Sequence, residues 1–411
     1  MAASAQDYDV IIIGAGPAGL SLAGSLAAQG RKIALVEKCP RESLESPAFD
    51  GRDIALTHRS VELLRGLGAW AHIPAAEISP LGEAQVRNGN SPRSLRFAPP
   101  RAQAGMLGQL VPNHLIRRAL FAASANHPNI HLLANTAASA IHTSADSASL
   151  TLADGTTLTA PLIAAADTRF SEMRRRMGIP ARIQDFGKTM LVCRMAHEQP
   201  HHGVATEWFG FGQTIATLPL NGTESQPNMC SLVVTLPTSQ AEALMALTPE
   251  TFAAEMSERY QHQLGAMQLV STRHAYPLAA AYAGRFVAGR FALVGDAAVG
   301  MHPVTAHGFN FGLSGQHILA TLIAGAAGQD IGAPALLRRY ESRHRRATLP
   351  LYLATNATAL LYTDDRPPAR ALRGAVISAG AHLPLVRRIL SSGLMKGAPR
   401  PLTAARALIH S

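Results

Sequence analysis

Residues 10–19 read Val-Ile-Ile-Ile-Gly-Ala-Gly-Pro-Ala-Gly, a short β-branched run followed at once by glycines in the order G-x-G-x-x-G. The run is long enough for one buried strand of a parallel sheet. Residues 20–29 are rich in alanine and predict a helix that ends at Gly30, and residues 32–36 predict a second strand. Strand, glycine turn, helix and strand in this order predict a βαβ unit that binds a dinucleotide.

Each glycine of this turn has its own predicted role. Gly14 allows the tight turn, Gly16 lets a pyrophosphate approach the backbone, and Gly19 lets the helix pack close to the strand. The first turn of the helix supplies unpaired N–H groups and a partial positive charge for the phosphates. Glu37 follows the second strand, where its carboxylate is expected to bind both ribose hydroxyls and to repel a 2′-phosphate. The predicted nucleotide is therefore FAD or NAD rather than NADP.

Residues 10–28 are nearly all apolar, so a signal peptide or a membrane span has to be considered for the same stretch. No basic segment precedes it, Asp7 and Asp9 lie just before it, and glycines interrupt it, which argues against both. The cysteines at 39, 193 and 230 are far apart and outside any C-x-x-C. That pattern favours a reducing cytoplasm and predicts neither a metal site nor a disulfide framework.

At 411 residues, 47% of them hydrophobic, the chain can bury a large core and is expected to form two interleaved domains. Residues 76–100 are polar and are predicted to form β-structure outside the first domain, and residues 184–236 alternate like an antiparallel sheet. Residues 131–140 and 149–158 predict strands, the latter stretch with a hairpin turn at Asp154-Gly155, and residues 251–264 predict an amphipathic helix. The predicted division is a discontinuous dinucleotide domain of residues 1–75, 101–181 and 283–345, a substrate domain of residues 76–100 and 182–282, and a helical basic tail of residues 346–411.

The net charge of +10 is concentrated in the tail, because residues 338–411 hold 13 of the 37 Lys and Arg but only 3 of the 27 Asp and Glu. A nucleic-acid domain would pair such charge with a recognisable fold or aromatic platform, and the sequence has neither. Val386, Ile389, Leu390 and Leu394 form one apolar stripe at helical spacing with basic residues beside it. The stripe predicts an interfacial helix at an anionic membrane surface; packing of the stripe on the dinucleotide domain is the alternative.

Two further motifs carry candidate ligand contacts. Arg52 follows the second strand in Gly-Arg-Asp-Ile-Ala-Leu and is expected to reach back to the pyrophosphate, although an arginine alone is often only a surface salt bridge. Asn113 is expected to cap a helix that runs to about residue 125. Asp296 follows the strand predicted over 291–294, where its carboxylate is expected to accept a ribityl hydroxyl or, alternatively, to cap a helix. The helix that starts near Phe309 would point its positive end at developing negative charge.

Together these motifs resemble the class A flavoprotein monooxygenases of the para-hydroxybenzoate hydroxylase type. Within that class the chain is similar to the ubiquinone-biosynthesis hydroxylases, the UbiH, UbiF and Coq6 group, including its UbiM-like branch of broad regioselectivity. The motifs that carry the resemblance, over nearly the full length, are residues 14–19 with Glu37, residues 51–56, residues 166–171 through Arg174, and residues 295–298 through Gly312.

The resemblance implies a Rossmann-like FAD-binding domain with an interleaved antiparallel substrate sheet. It implies FAD reduced by NAD(P)H, O₂ as co-substrate through a flavin C4a-hydroperoxide, and hydroxylation of a polyprenylated phenol or quinol. It also implies a cytoplasmic enzyme at the inner face of the membrane, with other ubiquinone-biosynthesis proteins as partners. The residues implied or expected to bind the cofactor are Gly14, Gly16, Pro17, Ala18, Gly19, Glu37, Arg52, Asn113, Asp167, Asp296, Pro303, Gly308, Phe309 and Asn310.

The chain departs from the family pattern at three positions. The usual Asp-Gly is Asp167-Thr168, which puts the contact with flavin and nicotinamide in question. The common His after Gly-Asp-Ala-Ala is Val299, and the Gln of the flavin loop is His307. His302 and His307 flank this loop and are the candidate catalytic residues, able to hydrogen-bond the flavin or a phenolic substrate; satisfying loop carbonyls is the alternative.

Other interpretations of the sequence remain open. His197-Glu-Gln-Pro-His-His has the wrong spacing for zinc, and Pro200 prevents a continuous helix, so a polar loop is favoured. A tailoring or catabolic hydroxylase of a soluble aromatic is a rival; a halogenase would need a W-x-W-x-I-P stretch, and Trp70 and Trp208 are isolated. A catalytically idle, FAD-stabilised scaffold is the rival from outside enzymology. Phe209, Phe211, Leu218 and Pro219 are candidates for the pocket lining, or plain core residues.

Overall fold

A computed structural model describes the chain at residues 6–91, 94–99, 105–210, 212–303 and 307–363. The predicted interfacial helix around residues 386–394 and the candidate pocket residue Phe211 lie outside the described residues.

The described strands and helices are numbered in chain order. The strands are β1 Gln6–Asp7, β2 Val10–Ile13, β3 Ile33–Val36, β4 Asp53–Leu56, β5 Ser79–Leu81, β6 Glu83–Asn88, β7 Ser94–Phe97, β8 Gly108–Pro112, β9 Ile130–Leu133, β10 Ala138–Thr143, β11 Ala148–Leu152, β12 Thr157–Ala160, β13 Leu162–Ala165, β14 Ala181–His197, β15 Val204–Phe209, β16 Thr214–Leu220, β17 Met229–Pro237, β18 Met267–Leu269, β19 His274–Ala283, β20 Val287–Ala288, β21 Phe291–Leu293 and β22 Val299–Gly300. The helices are α1 Pro17–Ala27, α2 Arg41–Glu45, α3 His58–Gly66, α4 Asn113–Ser124, α5 Glu172–Arg176, α6 Thr238–Ala246, α7 Pro249–Arg259, α8 Gly308–Ala324 and α9 Pro334–Thr363, with 3₁₀ turns at Ala69–His72, Ala75–Glu77 and Gly295–Ala297.

A six-stranded sheet in the order β20-β21-β13-β2-β3-β9 forms the centre of the dinucleotide domain. Its strands from β21 to β9 are parallel, and the four residues of β2 are all buried, as expected for a strand covered on both faces. The predicted βαβ unit is confirmed as β2, α1 and β3. A four-stranded sheet, β1-β12-β11-β10, lies beside it, and a three-stranded sheet, β4-β8-β5, leads towards the second domain.

The second domain is built on a nine-stranded sheet in the order β22-β19-β14-β17-β16-β15-β6-β7, with β18 also paired to β14. The predicted antiparallel sheet is confirmed over residues 184–236, although β15 pairs with β6 in parallel. One face of this sheet packs under α6 and α7 around a buried cluster that includes Leu191, Val234 and Phe252. Residues on the opposite face of the strands contact the dinucleotide domain.

Three contacts define the face that meets the dinucleotide domain. Arg194 of β14 forms an ion pair with Asp53 of β4 at 2.8 Å. A Cβ placed on Gly51 would lie 2.8 Å from Cγ2 of Val192, so β14 runs directly against the loop before β4. Leu218 of β16 packs against a small cluster that contains the fully buried Leu110 of β8. The substrate sheet therefore faces the dinucleotide domain with the side chains of even-numbered residues of β14 and β16.

Several predicted elements differ from those observed. The single strand expected over residues 131–140 is two strands, β9 and β10, because each joins a different sheet. The helix expected over residues 251–264 is α7, which begins at Pro249 after the N-cap Thr248. The helix α6 and the short strand β22 were not predicted. The hairpin turn predicted at Asp154-Gly155 is confirmed between β11 and β12, with Gly155 at a φ of +87°.

The last described helix, α9, is continuous from Pro334 to Thr363 with Pro350 inside it. The predicted start of the tail at residue 346 therefore falls within this helix. Among the helices of the described residues, none is both long enough and apolar enough to cross a bilayer.

Candidate active site

In the glycine turn between β2 and α1, two of the three glycines have no space for a side chain, and the third faces open space. Gly14 has a φ of +101°, and a Cβ there would lie 2.7 Å from the carbonyl oxygen of Ala166. A Cβ on Gly19 would lie 1.8 Å from the carbonyl oxygen of Gly14. Around Gly16 no atom lies within 4 Å of the Cβ position, so the backbone is open there to a ligand. This geometry agrees with the separate roles predicted for the three glycines.

The first turn of α1 offers its backbone N–H groups to a ligand. Its N-cap is Gly16, which has no side chain for capping, and Pro17 occupies the first turn. Ala18 packs on the second glycine loop, since a Cβ on Gly295 would lie 2.7 Å from the Ala18 Cβ. Pro17 and Ala18 thus shape the turn by conformation and packing. A helix start whose N–H groups are not capped by a side chain is suited to bind a phosphate.

Glu37 lies at the carboxyl end of β3, where its carboxylate already has two partners. Oε2 accepts a hydrogen bond from the N–H of Ala15 at 2.7 Å, and Oε1 accepts one from the N–H of Cys39 at 2.9 Å. The carboxylate therefore also fixes the glycine turn, and its binding of both ribose hydroxyls stays a prediction. Each oxygen keeps a second lone pair for a hydroxyl group.

Asp50, which the sequence did not single out, is the centre of the cluster around Arg52. The Arg52 guanidinium pairs with Asp50 Oδ2 at 2.6 Å and lies 5.2 Å from the ring centre of Tyr276. Nδ2 of Asn113 donates to the same oxygen at 2.7 Å. Burial alone would raise the pKa of Asp50, but Arg52 and Asn113 hold the pKa below its ordinary value.

The prediction that Asn113 caps α4 is wrong. Pro112 occupies the N-cap position and Asn113 is the first helical residue, because its side chain is turned to Asp50 instead. Arg52 forms a salt bridge with Asp50, which was the alternative considered for it. A contact of Arg52 with the pyrophosphate, and of Asn113 with the cofactor, stays a prediction.

Asp296 lies in the 3₁₀ turn after β21, and the turn depends on Gly295, whose φ is +63°. Oδ2 of Asp296 pairs with the guanidinium of Arg169 at 2.9 Å, and both side chains remain about one-third exposed (38% and 30%). The other nitrogen of Arg169 donates to the carbonyl oxygen of Ala279 in β19 at 2.6 Å. Arg169 therefore links Asp296, the residue predicted to bind the ribityl chain, to the substrate sheet.

Asp167 follows β13 and has a buried carboxylate oxygen, Oδ1, without a hydrogen-bond partner among the described residues. Burial raises the pKa of Asp167, although Ser171 and Arg174 oppose the shift. Arg174 is itself buried and donates to the carbonyl oxygens of Arg169 and Ala297 at 2.9 and 3.3 Å. An orphaned buried carboxylate beside the glycine turn fits a site that a polar ligand completes.

The first turn of α8 carries four candidate residues. His307 holds the N-cap position without a side-chain capping hydrogen bond, and Gly308 begins the helix. Phe309 is half-buried and packs against the main core. The Asn310 side chain accepts from Thr57 N–H at 3.1 Å and also bonds the Ser60 hydroxyl and the Ala55 carbonyl, at 2.6 and 2.9 Å. Asn310 thus fastens α8 to β4 and α3, a role the sequence did not predict.

His302 and His307 are both buried, and residues 304–306 between them lie outside the described residues. The His302 ring meets the Phe186 ring edge-on, with centroids 4.6 Å apart. Burial, with the positive charges of Arg169 and Lys188, lowers the pKa of His302 to about 4. His302 is therefore a neutral imidazole near pH 7 and can act there as a hydrogen-bonding group. Pro303 follows it and is half-buried.

The histidines considered for zinc serve a local turn. A ring nitrogen of His197 donates to the carbonyl oxygen of Gln199 at 2.8 Å, and a ring nitrogen of His201 donates to that of Leu220 at 3.0 Å. Within the described part of the chain, no group of three or more His, Cys, Asp or Glu is placed to hold a metal ion.

An open glycine turn, a helix start without a side-chain cap and carboxylates at two strand ends define a dinucleotide-binding site. The FAD binding domain family matches residues 7–351. Over 392 residues the chain is 44% identical to ubiquinone hydroxylase UbiM of Neisseria meningitidis, which covers 94% of this chain and 84% of the relative. It is 35% identical to ubiquinone hydroxylase UbiL of Rhodospirillum rubrum, covering 96% of this chain and 91% of the relative. The chain belongs to the FAD-binding family, within its ubiquinone hydroxylase group.

Solved structures support the same fold. PqsL from Pseudomonas aeruginosa superposes with a TM-score of 0.70 at 21% identity, covering 89% of this chain and 99% of PqsL. The predicted fold class, a Rossmann-like FAD domain with an interleaved antiparallel sheet, is confirmed, and so is FAD as the cofactor.

Proposed function

We propose that the protein hydroxylates the aromatic ring of a polyprenylated phenol or quinol in ubiquinone biosynthesis, using NAD(P)H and O₂. The observation that carries this proposal is the 44% identity to a ubiquinone hydroxylase over almost the whole chain. When bound, FAD supplies the redox chemistry, taking a hydride and activating O₂ towards an electron-rich ring. The protein supplies position, electrostatics and exclusion of water.

In this proposal the β2–α1 turn holds the pyrophosphate. Gly16 leaves room for the phosphate oxygens, and the N–H groups of α1 donate to them. Glu37 binds the ribose through its remaining lone pairs, and Arg52 neutralises phosphate charge when it turns from Asp50. Asp296 accepts a ribityl hydroxyl.

The loop that leads into α8 lies beside the flavin ring in the same proposal. Pro303, Gly308 and Phe309 approach the ring, and the positive end of α8 stabilises negative charge that develops on it. His307 hydrogen-bonds the flavin or the substrate hydroxyl from the N-cap position. His302, neutral because of its burial, supports the loop and donates or accepts without changing charge. Both histidines are thus proposed as catalytic residues of the loop.

The basic C-terminal segment is proposed to hold the enzyme at the inner face of the cytoplasmic membrane. Its excess of Lys and Arg suits an anionic surface, and a polyprenyl chain confines the substrate to the bilayer. Other ubiquinone-biosynthesis proteins are proposed as partners at the same surface.

The direct test is quinone profiling by mass spectrometry in a deletion strain, together with turnover of a short-chain prenylphenol by purified enzyme. Accumulation of an under-hydroxylated polyprenyl intermediate, restored by the wild-type gene, is the expected result. A normal quinone profile would refute the proposal. Rapid flavin reduction by NAD(P)H would exclude the idle scaffold, and hydroxylation only of soluble phenols would favour the tailoring enzyme.

A further inference from the structure

Glu207 is an acidic residue in the middle of the substrate sheet. It lies in β15, with Ala216 of β16 opposite on one side and Val86 of β6 on the other. The sheet continues through β7 beyond β6, so β15 is an interior strand. An acidic side chain at such a position is unusual, because interior strands generally present apolar residues to both layers.

The Glu207 side chain points towards the dinucleotide domain. Residues opposite one another in neighbouring strands share a face, and the row through Glu207 continues across Ala216, Val233 and Val192. Val192 packs against Gly51 of the dinucleotide domain. Trp208, the next residue, points the other way into the cluster under α6 and α7. Glu207 and the Gly51 contact therefore lie on one face, about 14 Å apart across three strand spacings.

The residues next to Glu207 on its face of the sheet are small or apolar. Ala205 and Ala216 on the same face are small, and so is Ala84, which is paired with Ala205. Phe209, two residues along, packs with Val86 and with Leu361 at the end of α9, which closes one side. Within the described part of the chain, no hydrogen bond or ion pair satisfies the Glu207 carboxyl.

Two further properties describe the environment of the Glu207 carboxyl. Burial raises the pKa of Glu207 to about 8, and no neighbouring charge contributes to the shift. The residue nevertheless keeps partial accessibility. A carboxyl that is desolvated yet partly accessible, on the face turned towards the dinucleotide domain, is suited to line a cleft between that domain and the substrate sheet.

We propose that Glu207 binds the ring hydroxyl of the aromatic substrate, as a hydrogen-bonding residue of the substrate cleft. The proposal rests on the proposed function, because it names the contact that selects a phenol or quinol over an aromatic without a free hydroxyl. A neutral carboxyl both accepts from a phenolic O–H and donates to an oxygen beside it. The small apolar floor around it accommodates the ring. Selection of this kind is strong, because a ligand without the hydroxyl leaves a buried polar group unpaired.

The test compares two probes on the FAD-loaded enzyme: 2-geranylphenol and its methyl ether, which lacks the O–H donor. Dissociation constants are measured from the change in flavin absorbance, and hydroxylation is followed by mass spectrometry. Wild-type enzyme is expected to bind the phenol about tenfold more tightly than the ether. Glu207→Leu is expected to lose this preference by weakening the phenol alone, whereas Glu207→Gln, which keeps a donor and an acceptor, is expected to retain most of it.

Thr217→Val is the matched control. Thr217 is buried in the adjacent strand β16 and bonds the Tyr260 hydroxyl on the opposite face, at 3.1 Å. It perturbs the same sheet without touching the cleft, so the preference should stay at its wild-type value. FAD content and melting temperature are recorded for every variant. If Glu207→Leu fails to fold, Glu207→Asp, which withdraws the carboxyl by one methylene, is expected to lower the preference.

The outcomes distinguish a failure of the role proposed for Glu207 from a failure of the proposed function. A wild-type enzyme that hydroxylates the phenol, with an unchanged phenol preference in folded Glu207→Leu or Glu207→Asp, overturns the role of Glu207 and leaves the proposed function standing. A wild-type enzyme that neither binds nor hydroxylates either probe refutes the proposed function for this substrate class and the role of Glu207 with it.

Discussion

The glycine turn allows binding of FAD to be separated from folding by single substitutions. At Gly16 the backbone has φ −72° and ψ −179°, an extended conformation open to any residue, and no atom lies within 4 Å of a Cβ. Gly16→Val should therefore leave the folded apoprotein almost unchanged. At Gly19 a Cβ would lie 1.8 Å from the Gly14 carbonyl oxygen, so Gly19→Ala should force β2 and α1 apart.

The expected magnitudes follow from these distances. A valine at Gly16 stands where the pyrophosphate approaches and removes one or two charge-assisted hydrogen bonds, each contributing about 1.5–3 kcal/mol. The loss, about 1.5–6 kcal/mol, corresponds to a rise in the FAD dissociation constant of about tenfold to more than ten-thousand-fold. Gly19→Ala overlaps backbone that cannot move freely and should cost the apoprotein about 3 kcal/mol or more.

The assay has to treat the two quantities separately. Affinity is measured by titrating FAD fluorescence with apoprotein, and stability by thermal unfolding of the apoproteins. The loaded proteins are unsuitable for stability, because weaker FAD binding lowers the melting temperature by mass action alone. An FAD affinity within threefold of wild type in Gly16→Val would refute the placement of the phosphate at this turn, and an apoprotein as unstable as Gly19→Ala would refute the open space at Gly16.

Four other changes test the remaining parts of the structure. Arg194→Met leaves the Asp53 side chain, which is fully buried, as an unpaired charge and should lower the free energy of unfolding in urea by about 3–5 kcal/mol; adding Asp53→Asn should recover part of it. His344 is fully buried, and burial lowers its pKa in the folded state to about 4. Its contribution to the free energy of unfolding is therefore complete above the unfolded pKa near 6.5 and is lost as the pH falls through 4. His344→Gln should flatten the fall of stability between these two pH values, measured by urea unfolding at each pH. His307→Ala should raise uncoupled release of hydrogen peroxide while FAD content stays near normal, and unchanged coupling would leave His307 a structural residue. Truncation after Ala381 should abolish flotation with anionic liposomes at low salt while FAD is retained; unchanged flotation, or a chain that no longer folds, would contradict the interfacial helix.

Local patterns in the sequence predicted the elements that depend on local chemistry. The β-branched run of β2, the glycine turn and the helix α8 were predicted because a few neighbouring residues determine them. The sequence failed where distant strands decide the outcome. Nothing in residues 131–140 distinguishes one strand from two, since β9 pairs with β3 and β10 with β11. The parallel pairing of β15 with β6 joins segments more than 100 residues apart.

The candidate site divides in the same way. The glycine motif and the two strand-end carboxylates could be found from their spacing. The Asp50 cluster could not, because its partner Asn113 lies 63 residues away in the chain. Asn310 satisfies a motif that implies a flavin contact, yet its side chain bonds residues about 250 positions earlier. For Glu207 the sequence offers one signal, an acidic residue in an apolar strand pattern, but the local pattern does not identify its partners on the sheet, which come from β16 and from the distant strand β6.

The contacts between the two domains indicate where substrate selection arises. Arg194 joins β14 to Asp53, and Arg169 joins the turn after β13 to the carbonyl oxygen of Ala279. The Tyr276 hydroxyl donates to the Asp50 carbonyl oxygen at 2.7 Å. These three links lie at different points of the interface and fix the substrate sheet against the cofactor domain. Because these links hold the sheet in place, the side chains on its inner face are the groups proposed to discriminate among aromatic rings, and Glu207 is the acidic member of its row on that face.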